Sequence, residues 1–258
     1  ALLQRDFAMT MMNGCGVDLL QFGGKNAHEP NWFNAPEILR TFAAAEKIFQ
    51  RLQQNPPADF PGDVAVIYNP SDMVRQGPPT RPTLMNNLLT TESMHQLLRT
   101  GVAADQFMLA DYLADDHTYR CVVFLNLFSP TTAEREAILQ KVRRSGVTTV
   151  WIYAPGLITD RGFSDAAMEQ LTGLKLQFQE QQRPMEMKFD DGAVLKDVSE
   201  LKPVAVAPTV IGQDPDARIL ARYPDGAAAM LCRQRPDGSA SLWSGVPLKS
   251  THAWTRIF

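Results

Sequence analysis

Cysteine is scarce in this 258-residue chain, and its three residues, Cys15, Cys121 and Cys232, stand far apart. Disulfide frameworks and thiolate metal motifs need cysteines paired at short, regular separations, so neither is expected. All three read as reduced and mostly buried, the usual habit of free cysteine. A basic block is also missing: 25 Lys and Arg against 28 Asp and Glu leave a net charge of −3. Nothing here suggests a nucleic-acid partner. No apolar run approaches the roughly 20 residues that span a bilayer as a helix, so no membrane partner is expected either. Internal repeats and low-complexity segments are absent, which excludes solenoids and tails. A signal-type segment is lacking at Ala1, and the chain stops at Phe258 inside what reads as an amphipathic helix, Thr251 to Phe258. The expectation is a piece of a longer protein, and missing targeting signals then say nothing about compartment.

What is present describes an ordinary globular chain, with 45% apolar and 21% charged residues. Its length suits one large domain, or one domain and part of another. The organising stretch is Gly146 to Gly173 (GVTTVWIYAPGLITDRGFSDAAMEQLTG). Its β-branched and aromatic run Val147 to Tyr153, bounded by Gly and Pro, predicts a buried strand, and a short helix ending at Gly173 follows. Upstream, Asp63 to Tyr68, Asp105 to Leu113 and Arg120 to Leu127 read as further strands. Between them lie helical segments, one closing at Gly101 with a second start near Thr91, and one capped by Ser129 with Pro130 at its first position. Lys141, Arg143 and Arg144 crowd the end of that last helix, where positive charge suits its dipole. Strand and helix alternating at this spacing predict an α/β fold with a doubly wound, mostly parallel sheet. From Gln177 the runs shorten. Met185 to Phe189, Val204 to Ile211, Arg218 to Tyr223, Ala227 to Arg233 and Ala240 to Trp243 predict an antiparallel β extension over 176–258, with Pro-Asp-Gly turns at 224–226 and 236–238.

Residues 1–57 read as helix (Leu2 to Met12), strand (Val17 to Phe22), loop and helix. Pro36 opens that second helix, whose stripe is Ile38, Phe42, Ala45, Phe49 and Leu52. A lone strand cannot pair its own backbone, so this resembles the last βα unit of a barrel. The linker Gln53 to Pro57 separates it from the domain over 58–258.

Few side chains suggest chemistry. Cys15 lies in Gly14-Cys15-Gly16, but the strand follows it, the reverse of a nucleophile elbow. His95 and His117 lack metal-ligand spacing, and Asp115-Asp116, Asp190-Asp191 and the Asp214/Asp216 pair read as turn carboxylates. No catalytic residue, metal or cofactor is assigned. The loop after Phe22 is richer, with Gln21, Asn26, His28, Glu29 and Trp32 gathered between strand and helix. In a barrel such a loop lies on the catalytic face, where a ring stacks on a sugar and polar groups bind its hydroxyls. Two readings stand: substrate-binding residues for carbohydrate, or Trp32 and Phe33 covering the barrel edge.

With these residues in view, the chain resembles an internal piece of a β-galactosidase-like glycoside hydrolase, similar to family 42. The tracts DVAVIYNPSD, GVAADQFMLADYL, GVTTVWIYAPG and RYPDGAAAMLCRQRPDGSASLWSG carry the resemblance. It implies the end of a TIM barrel followed by a class I glutamine amidotransferase-like, flavodoxin-like domain that mediates trimerisation, hence a homo-oligomer. The two glutamates that hydrolyse the glycoside in that family have no match here and would lie upstream. The amidotransferase Cys elbow corresponds to Ala154-Pro155-Gly156, and no His-x-Glu partner is found, so no glutaminase activity is expected. A second reading, from a different class, is a non-catalytic sugar-binding or interaction module of that fold.

Overall fold

The computed structural model describes residues 35–54, 62–75, 84–144, 146–189, 194–195, 205–206, 208–248 and 251–255, with Gln4 and Phe7. Its contacts divide the chain into two units, Ala1–Phe60 and Pro61–Phe258. In the first, helix α1 (Pro36–Gln54) starts at proline, whose fixed φ suits a position where the missing N–H costs nothing. The stripe Ile38, Phe42, Phe49 and Leu52 is half-buried around buried Ala45, and Phe42 meets Phe7 edge-on at 5.6 Å. The expected strand over 17–22 lies outside the described residues.

In chain order the second unit opens with β1 (Val64–Tyr68), α2 (Pro70–Arg75), α3 (Leu84–Asn87), α4 (Ser93–Leu98), β2 (Ala104–Met108), α5 (Leu109–Ala114) and β3 (Cys121–Phe124). Next come α6 (Thr132–Val142), β4 (Thr148–Ile152), the hairpin β5 (Ile158–Thr159) and β6 (Gly162–Phe163), and α7 (Asp165–Thr172). The β-rich part holds β7 (Leu176–Gln179), β8 (Arg183–Pro184), β9 (Met187–Phe189), β10 (Val194–Leu195), β11 (Ala205–Val206), β12 (Thr209–Gly212), β13 (Arg218–Arg222), β14 (Ala228–Gln234) and β15 (Ala240–Ser244), before α8 (Thr251–Trp254).

Five strands pair in parallel in the order β2–β1–β3–β4–β15, and antiparallel strands continue the sheet through β14, β13, β9 and β10, with β12 and β7 branching from β14. The crossover from β1 to β2 runs one way along the sheet and those from β2 to β3 and β3 to β4 run the other. Right-handed crossovers then put α2–α4 on one face and α5 and α6 on the opposite one. Lys141 of α6 lies over the Tyr112 ring of α5 at 4.9 Å, as that placement requires.

The core is a lateral row. Register aligns Phe107, Ile67, Phe124, Trp151 and Trp243 across all five parallel strands, so their side chains share one face. Phe124 and Trp151 stack at 4.6 Å and 8°, and Tyr112 meets Phe124 edge-on at 6.1 Å. Val66, Val123, Val150 and Leu242 form the matching row on the other face, so the inner strands are apolar on both sides. Two buried indoles bring N–H groups that must be satisfied. Trp151 Nε1 donates to Ser241 Oγ at 3.0 Å, Ser241 Oγ donates to Thr172 O at 2.6 Å, and Trp243 Nε1 donates to Tyr153 O at 2.8 Å.

Several expectations are corrected. The antiparallel extension was expected to include Ala240 to Trp243, yet β15 pairs antiparallel with β14 on one edge and parallel with β4 on the other, completing the core. A Pro-Asp-Gly turn betrays the hairpin edge of a strand but not its second neighbour. The strand expected over Asp105 to Leu113 ends at Met108, because Leu109 and Tyr112 are spaced to bury one face of α5. Thr131, not Ser129, caps α6, sharing a capping box with Glu134. The second helix start near Thr91 is instead a π-helical turn, Leu88–Glu92, running into α4. Strand β7 and the β5–β6 hairpin were not foreseen. Both Pro-Asp-Gly turns close as expected: Gly226 N donates to Tyr223 O at 2.9 Å and Gly238 N to Arg235 O at 3.0 Å, each glycine with φ near 80–90°.

Trp151→Ala is expected to lower unfolding free energy by about 3–5 kcal/mol in urea titrations. Ser241→Ala should cost about 1–3 kcal/mol, since it strips Trp151 Nε1 and Thr172 O of their partner. An unchanged midpoint for Ser241→Ala would show that this chain of bonds contributes nothing.

Candidate functional site

In a doubly wound sheet ligands sit beyond the carboxyl ends of the strands, where the strand order reverses. Here that point lies between β1 and β3. β1 leads into Asn69 and the start of α2, and β3 into Leu125 to Ser129. Asn126 pairs with the backbone of Asn69 in both directions: Asn69 N donates to Asn126 Oδ1 at 2.8 Å and Asn126 Nδ2 donates to Asn69 O at 2.9 Å. Asp72, with no exposed surface, accepts from Asn69 Nδ2 at 2.9 Å, Phe128 N at 2.7 Å, Ser129 N at 3.0 Å and the Ser129 hydroxyl. A general base must face a proton on its substrate. This carboxylate faces donors of its own chain, and splices the two loops together.

One strand further along, Tyr153 follows β4 with φ of 68°, a left-handed conformation that costs a non-glycine residue free energy. A strained residue just past a parallel strand is where an elbow nucleophile would stand. The sequence reading set that position at Ala154-Pro155-Gly156; the strained side chain is one residue earlier. It is also turned inward. Its hydroxyl donates to Pro208 O at 2.5 Å, its ring meets Phe128 edge-on at 5.7 Å, and its amide donates to Ser244 O at 2.7 Å. Burial pushes the phenol well above its ordinary pKa, which disfavours the nucleophilic phenolate. An elbow also needs a helix next, whereas the chain here runs through Gly156 into the β5–β6 hairpin.

Buried Arg135 holds that loop. It donates to Pro130 O at 3.2 Å, Ala167 O at 3.1 Å, Gly156 O at 2.8 Å and Ile158 O at 3.4 Å, and desolvation lowers its pKa. Gly156 is needed twice. Its φ is 70°, and a Cβ there would lie 2.6 Å from Arg135 Nη1 and 2.9 Å from Leu171 Cδ2.

Gln21, Asn26, His28, Glu29 and Trp32 lie outside the described residues, as do Cys15 and Asp190-Asp191. Asp214 and Asp216 both pair with Arg233 at 3.2 Å. The backbone of Asp115 closes α5 and accepts from Lys141 Nζ. His117 meets Tyr119 edge-on at 4.6 Å. Cys121 is buried, and desolvation pushes its thiol up to about 12, while Cys232 is half-buried. Among the described residues no three His, Cys, Asp or Glu side chains gather to hold a metal. Sequence reasoning missed Asp72 and Asn126. The available signal was polar residues placed directly after apolar strands, in YNPSD and FLNLFS.

No protein-family model matches this chain, and no curated protein does. Solved structures do. A catalytic mutant of Gan42B, a GH42 β-galactosidase from G. stearothermophilus, is similar at TM-score 0.68 and 12% identity, over 98% of this chain and 39% of that one. A β-galactosidase from the Antarctic haloarchaeon Halorubrum lacusprofundi is similar at TM-score 0.58 and 16% identity, over 84% of this chain and 32% of that one. The exo-β-1,4-mannosidase Op5Man5 from Opitutaceae bacterium strain TAV5 is similar at TM-score 0.51 and 13% identity, over 85% and 36%. The likeness is one of fold. This chain spans about two fifths of the length of Gan42B.

Asp72→Ala is expected to destabilise by at least about 3 kcal/mol, because several donors lose their acceptor at once. A loss below about 1 kcal/mol, read from urea midpoints, would mean that water replaces the carboxylate. Incubation with glutamine should release no ammonia. Release abolished by mutating any one cysteine would contradict the reading of Tyr153.

Proposed function

We propose that this chain is a C-terminal part of a β-galactosidase-like glycoside hydrolase acting on carbohydrate. The observation that supports it most is the fold likeness to a GH42 β-galactosidase over 98% of the chain, a span that takes in residues of both units. On this reading the first unit contributes the end of a TIM barrel. The second is a class I amidotransferase-like domain without catalysis, serving oligomerisation, with a trimer as the resemblance implies. The buried Asp72 and Tyr153 agree with that division, since neither side chain is presented to a substrate. They also favour the second reading, a non-catalytic sugar-binding or interaction module. The reading frame upstream of Ala1 separates the two: further βα units bearing two glutamates at strand ends support the hydrolase, and an unrelated domain there opposes it.

The sugar would be met by Gln21, Asn26, His28, Glu29 and Trp32, with the indole as a stacking face. No cofactor or metal takes part. Trp32→Ala in the full-length protein should weaken substrate binding by about 1–3 kcal/mol with a smaller effect on folding. Unchanged kinetics with a large loss of thermal stability would make the ring a structural plug.

Phe60, Met73 and Leu157 stand in loops by sequence, where exposed apolar side chains would favour self-association. Leu157 is in fact buried and Met73 half-buried, while Phe60 lies outside the described residues. The proposal now rests on the resemblance alone. Light scattering should give a multiple of the 28.7 kDa protomer mass at micromolar concentration. A monomer there would contradict it.

A further inference from the structure

At the amino-terminal edge of the parallel strands, opposite the switch point, lies a cleft of about 490 Å³ whose lining includes Arg143, Gly173, Arg233, Arg235, Asp237 and Ser239. Three guanidinium groups face one concavity, and their commitments differ. Arg233 is occupied: it pairs with Asp214 and Asp216 at 3.2 Å each and reaches Gly173 O at 3.4 Å. Arg143 gives one N–H to Gln170 O at 3.0 Å. Among the described residues the Arg235 side chain makes one long hydrogen bond, 3.4 Å to Ser239 Oγ, and its charge also acts on Asp237. A guanidinium carries five N–H donors, so Arg143 and Arg235 keep most of theirs. Neither pairs with a carboxylate among the described residues.

The competing explanation is helix capping, because α7 ends at Gly173 and cations favour a helix C-terminus. It accounts for one bond from Arg143 and one from Arg233. It leaves Arg235 unexplained, since among the described residues that side chain bonds to no helix carbonyl. Asp237 is the acid on the cleft wall, and it is folded onto Ser239, accepting from Ser239 N at 2.9 Å and Ser239 Oγ at 2.6 Å. Those bonds, and next the charge of Arg235, hold its carboxyl below the usual range. Two cations of the lining, Arg143 and Arg235, stand against one lining anion, Asp237, while Arg233 and its two aspartates together carry one negative charge beside them.

We propose that this cleft binds a tetrahedral oxyanion, the phosphate or sulfate group of a small molecule, held by Arg143 and Arg235. The planar fork of a guanidinium matches two oxygens of such a group, which a lysine cannot do. The volume falls within the roughly 300–1,000 Å³ of small-molecule pockets, so the body of a ligand fits beside its anionic group. The site lies within the second unit and does not depend on the glycosidase reading.

The test follows the arginine Nε–H resonances of the full chain by NMR during titration with inorganic phosphate and, separately, inorganic sulfate, with chloride at matched ionic strength as control. Saturable shifts at Arg143 and Arg235 with a millimolar Kd are expected, and affinity should fall about tenfold or more in the Arg143→Met/Arg235→Met variant. Saturation by phosphate alone, by sulfate alone or by both supports the site and names its ligand group. Shifts that never saturate, that chloride reproduces, or that survive unchanged in the variant would overturn it. Should the double variant fail to fold, Arg235→Gln alone decides by the same criteria.

Discussion

The carboxylate of Asp72 is the constraint on which the carboxyl edge of the sheet depends. A buried charge is tolerated only when donors surround it, and here these come from Asn69 at the end of β1 and from Phe128 and Ser129 beyond β3. The segment from Leu125 to Ser129 is thereby held, and it holds the next in turn. Leu127 O accepts from Gly156 N at 2.7 Å, Phe128 O accepts from Ile158 N at 2.9 Å, and the Phe128 ring backs Tyr153. Arg135 then ties Gly156 and Ile158 to α7 through Ala167 O. One carboxylate, two loops and one guanidinium therefore close the edge that ligands occupy in other sheets of this topology.

Beneath that edge the aromatic row supplies the burial. Phe124, Trp151 and Trp243 on adjacent strands remove large apolar surfaces from water, and the two indole N–H groups bind β4 to β15 through side chains as well as backbone. This explains how a strand some ninety residues downstream of β4 is drawn into the parallel core after the β-rich excursion. Gly245 completes the fit, since a Cβ there would lie 2.2 Å from the Tyr223 hydroxyl oxygen and 2.9 Å from the Trp243 ring.

Much of this was legible in the sequence where the signal is local. DVAVIY and VTTVWI read as buried parallel strands because both their faces are apolar, and Pro36, Gly173 and the two Pro-Asp-Gly turns act through their own backbone geometry. What failed was non-local. Ser129 looks like a helix cap until Asp72, fifty-seven residues earlier, claims its amide and hydroxyl. Tyr153 looks like the last residue of a strand, and only the fold reveals its left-handed backbone. Leu157 sits in a loop by sequence and in the core by structure. The candidate sugar-facing residues were named from barrel position and composition alone, and they lie outside the described residues.

The closed, structural carboxyl edge stands apart from any chemistry carried elsewhere. Native-state hydrogen exchange tests that separation most directly, at the amides of Asn69, Phe128 and Ser129. If the edge is locked, these amides open only with the sheet, with the same opening free energy as Val66 in β1 and Val123 in β3. Exchange faster by several orders of magnitude while both strands stay protected would show a site that opens on its own, and would contradict the closed edge.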